Sequence, residues 1–379
     1  MSAADDVRRV LRREDPGRVV YAPNYWQWFT HHRNHGLLPD ELRECGSQLE
    51  MIRHLGLDVF SRNIYCDETA CWFGGLAEEV WDGVEFEERR TEGGRDIVTE
   101  KTYHTPAGTM TERLRFVFDE STLVQENQLL DNYDQQLEAF DCYVRGRRWR
   151  FDREKFGAWR DEVGEDGVVN AGELLSPLKL LNMSAGASDA VYLLEDHPER
   201  CTEWMAIHEE AQIDLVRQML DAGVEAMIAM DNLDTGFHPP DYVERCSASF
   251  YEQASALCRD AGATLFIHAC GQQRANLARI GALGVDGLEG VAYPPMGDVE
   301  LEEAMELSGD RLIITGGISA HETENFGSAD EVRRYMENLM ERMQPFRHRF
   351  MLSASCNTSI RTPWQTLKWF RDAWREFGA

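Results

Sequence analysis

Apolar positions along the chain follow two different periods. Between residues 80 and 120 they alternate with period two, in Val84-Glu-Phe-Glu87, Asp96-Ile-Val-Thr-Glu-Lys-Thr-Tyr-His104 and Thr109-Met-Thr-Glu-Arg-Leu-Arg-Phe-Val-Phe118. Gly93-Gly94 and Pro106-Ala-Gly108 separate these runs. Alternation broken by turn residues predicts an antiparallel meander, set beside or over the main domain. From residue 168 onward short apolar runs alternate with longer amphipathic ones. The runs read as strands are Val168–Ala171, Glu225–Asp231, Ala263–His268, Asp286–Glu289, Arg311–Thr315 and Phe350–Ala354. Those read as helices are Pro198–Leu220, Pro239–Ala261, Gln272–Ala282, Val299–Leu307, Ala329–Met343 and Pro363–Phe377. Nearer the start, Val19–Pro23 and Leu57–Phe60 read as strands, with a helix over Pro39–Leu55 between them.

Strands alternating with helices imply a parallel sheet. Counting back to Val19 gives about eight units, the number that closes a (β/α)8 barrel. The expected fold is therefore α/β: a (β/α)8 TIM barrel over residues 1–379 as one domain, with an antiparallel β insert at 80–120 in its N-terminal half. An open doubly wound sheet is the runner-up. There is no G-x-G-x-x-G and no P-loop, which weakens a nucleotide reading.

Such a barrel builds its active site at the C-terminal ends of its strands. The residues expected there are Asp231, then His268-Ala-Cys270-Gly271, then Glu289, then Thr315-Gly316-Gly317, then Ser355-Cys356-Asn357. One imidazole and two thiols on a single face suit zinc, which prefers a tetrahedron of nitrogen and sulfur donors. His268, Cys270 and Cys356 are the expected ligands. A fourth position left to water or substrate would make the site catalytic. Two thiolates leave zinc a weak generator of hydroxide and a good holder of a reactive thiolate. Glu289 is read three ways: a fourth ligand, an acceptor for His268, or a substrate contact. Asp231, at a strand end, reads as a catalytic or substrate-contacting carboxylate or as a structural acceptor. An aromatic run including Tyr25 and Trp26 reads as a pocket wall or as core, with Asn63 and Tyr65 in the same candidate substrate pocket. His238 and Gly317 complete the substrate-binding candidates. The histidines at 31, 32 and 35 lack an acidic or cysteine partner and read as a polar surface.

Composition narrows the partners. Lys and Arg number 39 against 67 Asp and Glu, a net charge of −28. Such acidity argues against nucleic acid and against an anionic membrane surface. No apolar run approaches a membrane span or a signal peptide, so a cytoplasmic location is expected. Nine cysteines scattered over the chain then read as thiols or metal ligands, not as a disulfide framework.

At Phe266-Ile-His-Ala-Cys-Gly271, at Leu352-Ser-Ala-Ser-Cys356 and at Thr362-Pro-Trp-Gln-Thr-Leu367 the chain resembles the uroporphyrinogen decarboxylase superfamily. The resemblance is to its zinc-dependent branch, which includes the methylcobamide:coenzyme M methyltransferases. The layout from Thr102-Tyr-His-Thr-Pro-Ala-Gly108 onward also looks similar. The resemblance implies a barrel with an insert near the N-terminus, zinc on His268, Cys270 and Cys356, and methyl transfer to or from a corrinoid cofactor. The porphyrinogen decarboxylases carry Met-Arg-Gln-Ala-Gly-Arg-Tyr near the start. Here the region reads Pro23-Asn-Tyr-Trp-Gln-Trp-Phe-Thr-His-His32, which leaves the substrate open. No corrinoid-anchoring Asp-x-His-x-x-Gly is present, so a corrinoid would arrive free or on a separate protein. The reading is a zinc-dependent methyltransferase acting on a small thiol or methoxy compound. The alternatives are a metal-free decarboxylase or lyase of the uroporphyrinogen decarboxylase type, and a barrel with a purely structural zinc.

Overall fold

The computed structural model describes residues 2–62, 64 and 74–379. Its strands are β1 (Val20–Tyr21), β2 (Val59–Ser61), β3 (Ala77–Trp81), β4 (Glu85–Gly93), β5 (Asp96–Thr105), β6 (Gly108–Val117), β7 (Thr122–Asn127), β8 (Arg147–Phe151), β9 (Gly167–Leu174), β10 (Ala226–Ala229), β11 (Thr264–His268), β12 (Gly287–Val291), β13 (Ile313–Ile318) and β14 (Phe350–Ala354). Eight of them form one parallel sheet in the order β1-β14-β13-β12-β11-β10-β9-β2. At the seam between β1 and β2, the Asp58 amide donates to the Tyr21 carbonyl at 2.9 Å. The Tyr21 amide donates to the Asp58 carboxylate at 2.9 Å. This is the expected (β/α)8 barrel.

The barrel interior is filled from its own strands. Val20, Phe60, Val168, Ile228, Phe266, Ile313 and Met351 form one buried cluster. The helix Ala3–Leu11 adds Val7, Val10 and Leu11 to it, filling the interior at the end away from the strand C-termini. Ser2 caps that helix, accepting from the Asp5 amide while the Asp5 carboxylate accepts from the Ser2 amide, a capping box.

The period-two segment forms the four-stranded antiparallel sheet β4-β5-β6-β7. Tyr103 and Met110 from this sheet pack with Phe140 and Tyr143 of the helix Tyr133–Gly146, and with Leu178 and Trp204. Trp26 packs on Leu114, Phe116 and Leu123, so the insert is tied to the barrel's first crossover.

Two predicted helices are divided. Over Pro39–Leu55 there is a 3-10 turn at Asp40–Leu42 and a separate helix Gln48–Leu55. Ser47 starts the second by accepting from the Glu50 amide at 3.3 Å, the role that Ser prefers at a helix start. The segment 239–261 breaks at Ser247 into Pro240–Cys246 and Ala248–Ala261. Among the described residues no helix is long and apolar enough to cross a membrane.

Candidate functional site

His268 is the last residue of β11 and pairs in register with Glu289 of β12. The chain then leaves the sheet. The Ala269 amide donates to the Glu289 carbonyl at 2.7 Å, and the Leu233 amide to the His268 carbonyl at 3.0 Å. Cys270 follows two residues later. Cys356 arrives from beyond β14, where the Ser355 amide donates to the Ile318 carbonyl at 2.9 Å. Three ligand-type atoms, one each from His268, Cys270 and Cys356, lie within 4.8 Å of one another. His268 Nε2 is 3.7 Å from Cys356 Sγ.

Two glycines make room for this arrangement. Gly271 has φ +95°, and a Cβ there would lie 1.8 Å from Asp234 Oδ2. Gly290 has φ +91° and sits where the register of β12 shifts. A Cβ there would lie 2.8 Å from the Ser355 carbonyl oxygen and 3.3 Å from His268 Cε1.

Glu289 orients the imidazole. One carboxylate oxygen bonds His268 Nδ1 and the other accepts from Arg62. Burial opposes charge on Glu289, but the Arg62 guanidinium and then His268 hold its carboxyl well below the usual range. Burial likewise disfavours the imidazolium, and Glu289 overrides it to push His268 upward. The thiols split: the hydrogen bond they share lowers Cys270 and raises Cys356. Of the three readings of Glu289, the geometry realises the acceptor for His268.

The donors fit zinc. Two sulfurs and an imidazole nitrogen are the soft-to-borderline set that zinc takes over magnesium or calcium. A carboxylate on the far ring nitrogen is the usual partner of a metal-bound histidine. The triad also borders open space. A cavity of about 560 Å³ is lined by His268, Cys270 and Cys356 together with Trp26, Arg62, Lys179 and His238. Thr122 and Gln125 of the insert strand β7 complete part of its wall. Phe237, on the lining, is 56% exposed.

The other predicted residues divide. Trp26 and His238 line the cavity. The Asp231 carboxylate turns away from it, accepting from Tyr251 Oη at 2.5 Å and from the Ser176 amide at 2.9 Å. Burial raises its pKa against those bonds. Tyr25 is buried in the core, its hydroxyl 3.2 Å from that of Tyr21. Gly317 lies within β13, where its carbonyl accepts from Tyr335 Oη at 2.7 Å. Neither is on the cavity lining. Asn63 and Tyr65 lie outside the described residues. The histidines at 31 and 35 stack with ring centroids 4.1 Å apart, and His35 reaches Asp119 at 3.2 Å.

Sequence reasoning missed Arg62 and Lys179. Arg62 directly follows β2, so the strand-end rule used for the other residues would have found it. Lys179 lies on a helix, Pro177–Ala185, that was not anticipated. Its Ser176-Pro177 start is a legible helix signal.

No match is found among curated protein sequences. A solved structure described as a methyltransferase from Methanosarcina mazei superposes over 100% of both chains, with a TM-score of 0.59 and 15% identity; at that identity the likeness speaks for the fold. The family described as Uroporphyrinogen decarboxylase (URO-D) matches residues 137–377. That span is more than half of the chain and carries β9 through β14 with the whole His268, Cys270 and Cys356 cluster, so this chain belongs to the uroporphyrinogen decarboxylase family.

Proposed function

We propose that the chain is a zinc-dependent methyltransferase, moving a methyl group between a small substrate and a corrinoid. The observation that carries this reading is the meeting of His268, Cys270 and Cys356 on the wall of an open cavity. A structural zinc would be closed by a fourth protein ligand, and among the described residues the cluster has three. Zinc held there would keep a substrate thiol deprotonated and nucleophilic at neutral pH.

The remaining work falls to the chain's own side chains. Glu289 fixes the His268 ring so that Nε2 faces the cluster. Arg62 neutralises Glu289, so the carboxylate stays an acceptor. Trp26 supplies an apolar wall against which a small substrate packs. Asp231 acts as a positioning residue, holding the Ser176 amide at the start of the helix that carries Lys179. Alignment of the reacting atoms is where such a site gains most of its rate. A corrinoid, free or carried by a partner protein, would supply the methyl donor or acceptor as co-substrate.

The second reading is decarboxylation or lyase chemistry on the same barrel, and the name of the matched family favours it. Methylcobalamin consumption in the presence of a small thiol, followed by its absorbance change, tests the choice. Wild type is expected to turn over, and Cys356→Ser to lose metal and activity together. A wild type that fails to turn over, or a Cys356→Ser protein that stays active without metal, would contradict the methyltransferase reading.

A further inference from the structure

The barrel sheet places only one of the three ligand-type residues. His268 ends β11 and is held by Glu289 through the register of two strands. Both sulfurs come from irregular chain: Cys270 lies two residues past β11 and Cys356 two residues past β14. Irregular segments do not share the rigidity of the sheet that precedes them. The two thiols nonetheless meet closely enough to share a hydrogen bond. A contact outside the strands must fix their spacing.

One connection reaches both. Between β12 and the helix Leu301–Leu307 the chain runs through residues 292–298. On one side Asp298 Oδ1 accepts from the Gln273 amide at 2.6 Å and from the Arg274 amide at 3.0 Å. Gln273 is fully buried, and its Nε2 donates to the Cys270 carbonyl at 3.3 Å. Gly297 lies against the same segment, where a Cβ would come 3.0 Å from the Gly271 carbonyl oxygen. On the other side Met296 Sδ accepts from Ser319 Oγ at 3.5 Å and meets Ser355 Oγ at 3.9 Å. Ser355 immediately precedes Cys356.

The connection is itself anchored. Tyr293 Oη donates to Glu322 and lies 2.9 Å from Tyr335 Oη. Tyr335 Oη donates to the Gly317 carbonyl at 2.7 Å. The Gly297 amide donates to the Tyr293 carbonyl at 3.1 Å and closes the turn. A ligand set works only when held within about 0.5 Å of its geometry, so a support common to both sulfur-bearing segments bears on metal affinity directly.

We propose that Asp298 is a positioning residue for Cys270, and that residues 292–298 form a splint that sets the distance between the Cys270 and Cys356 sulfurs. The step from that distance to metal binding rests on the zinc reading; the distance itself does not.

The test loads cobalt(II) in place of zinc and reads the thiolate-to-cobalt charge-transfer band, together with affinity by chelator competition. Asp298→Ala is expected to lose the contribution of one thiolate to the band and about tenfold to a hundredfold in affinity. Asp298→Asn keeps an oxygen acceptor and should restore most of both. Glu303→Gln removes a surface partner of Arg274 on the same segment and should change neither. Gln273→Leu cuts the hold on the Cys270 carbonyl and should lower both. A wild-type band and affinity in Asp298→Ala, or in Gln273→Leu should the alanine variant fail to fold, would overturn the proposal. If wild type takes up neither zinc nor cobalt, the zinc reading fails separately. The spacing is then read on the metal-free protein with dibromobimane, which fluoresces only after both its ends have reacted, the Cys270–Cys356 bridge being identified by peptide mass spectrometry. Less bridging in Asp298→Ala than in wild type and Asp298→Asn is expected. Equal bridging in all three, or none in wild type, would overturn the proposal.

Discussion

Glu289 holds Nδ1 of His268, and the opposite ring nitrogen therefore faces Cys356 Sγ at 3.7 Å. The pairing follows from the register of β11 and β12, which places residues 268 and 289 side by side. Replacing the carboxylate by an amide keeps the shape but weakens the hold on the ring and removes the charge that pairs with Arg62. Glu289→Gln is expected to lower zinc affinity by about tenfold to a hundredfold, the usual cost of losing such a partner. Competition with a chromophoric chelator measures it. An unchanged affinity would mean that Glu289 does not orient the ligand.

The carboxylate of Asp231 is a buried acceptor for two donors, Tyr251 Oη and the Ser176 amide. Asp231→Ala would strand both, at about 2–4 kcal/mol of stability. Asp231→Asn keeps one oxygen and should cost less. Urea unfolding of the three proteins gives the order wild type, Asn, Ala. An Ala variant as stable as wild type would remove the anchoring role.

Gly271 admits no side chain, since a Cβ would overlap the Asp234 carboxylate and φ is +95°. Gly271→Ala is expected to lose about 1–3 kcal/mol through backbone strain and displacement of Asp234. Its neighbour Cys270 should shift with it, so zinc binding should weaken in the same variant. Calorimetric zinc titration checks this, and full-strength binding would contradict it.

Glu173, near the end of β9, is 5% exposed and accepts from the Leu76 amide at 2.9 Å. Burial pushes its carboxyl up to about 7, against backbone bonds that lower it. A raised folded pKa means that the native state holds this proton more tightly than the unfolded chain does. The stability it supports is complete below about 4.5, the unfolded value, and falls as pH rises through about 7. Glu173→Gln removes that component while keeping an oxygen acceptor. Between pH 5 and pH 8 the variant should therefore lose less stability than wild type. Parallel urea midpoints at both pH values test it, and equal losses would contradict it.

The strand–helix alternation was enough to read the barrel, because parallel strands buried on both faces show as short apolar runs between amphipathic helices. The candidate metal-binding cluster is legible for the same reason: strand ends converge on one face, so His268, Cys270 and Cys356 meet although 88 residues separate the first from the last. What the pattern did not carry was orientation. Asp231 lies two residues past the end of β10, close to the strand end as expected, yet its carboxylate turns to Tyr251 on the helix Ala248–Ala261. Tyr25 and Trp26 are adjacent in sequence, yet one enters the core and the other the cavity wall. The break at Ser47 was hidden because a capping serine inside an amphipathic run reads as one more polar position. Lys179 was passed over because a lone lysine on a short helix carries no periodic signal. Only the burial of its surroundings sets it apart.

If the proposed function holds, His268, Cys270 and Cys356 bind one metal ion beside the open cavity. Elemental analysis of the protein purified without chelator, wild type beside Cys270→Ala and Cys356→Ala, tests it most directly. Wild type is expected to hold about one zinc per chain and both variants to lose it, with far-UV circular dichroism unchanged. A metal-free wild type that takes up no added zinc would contradict it.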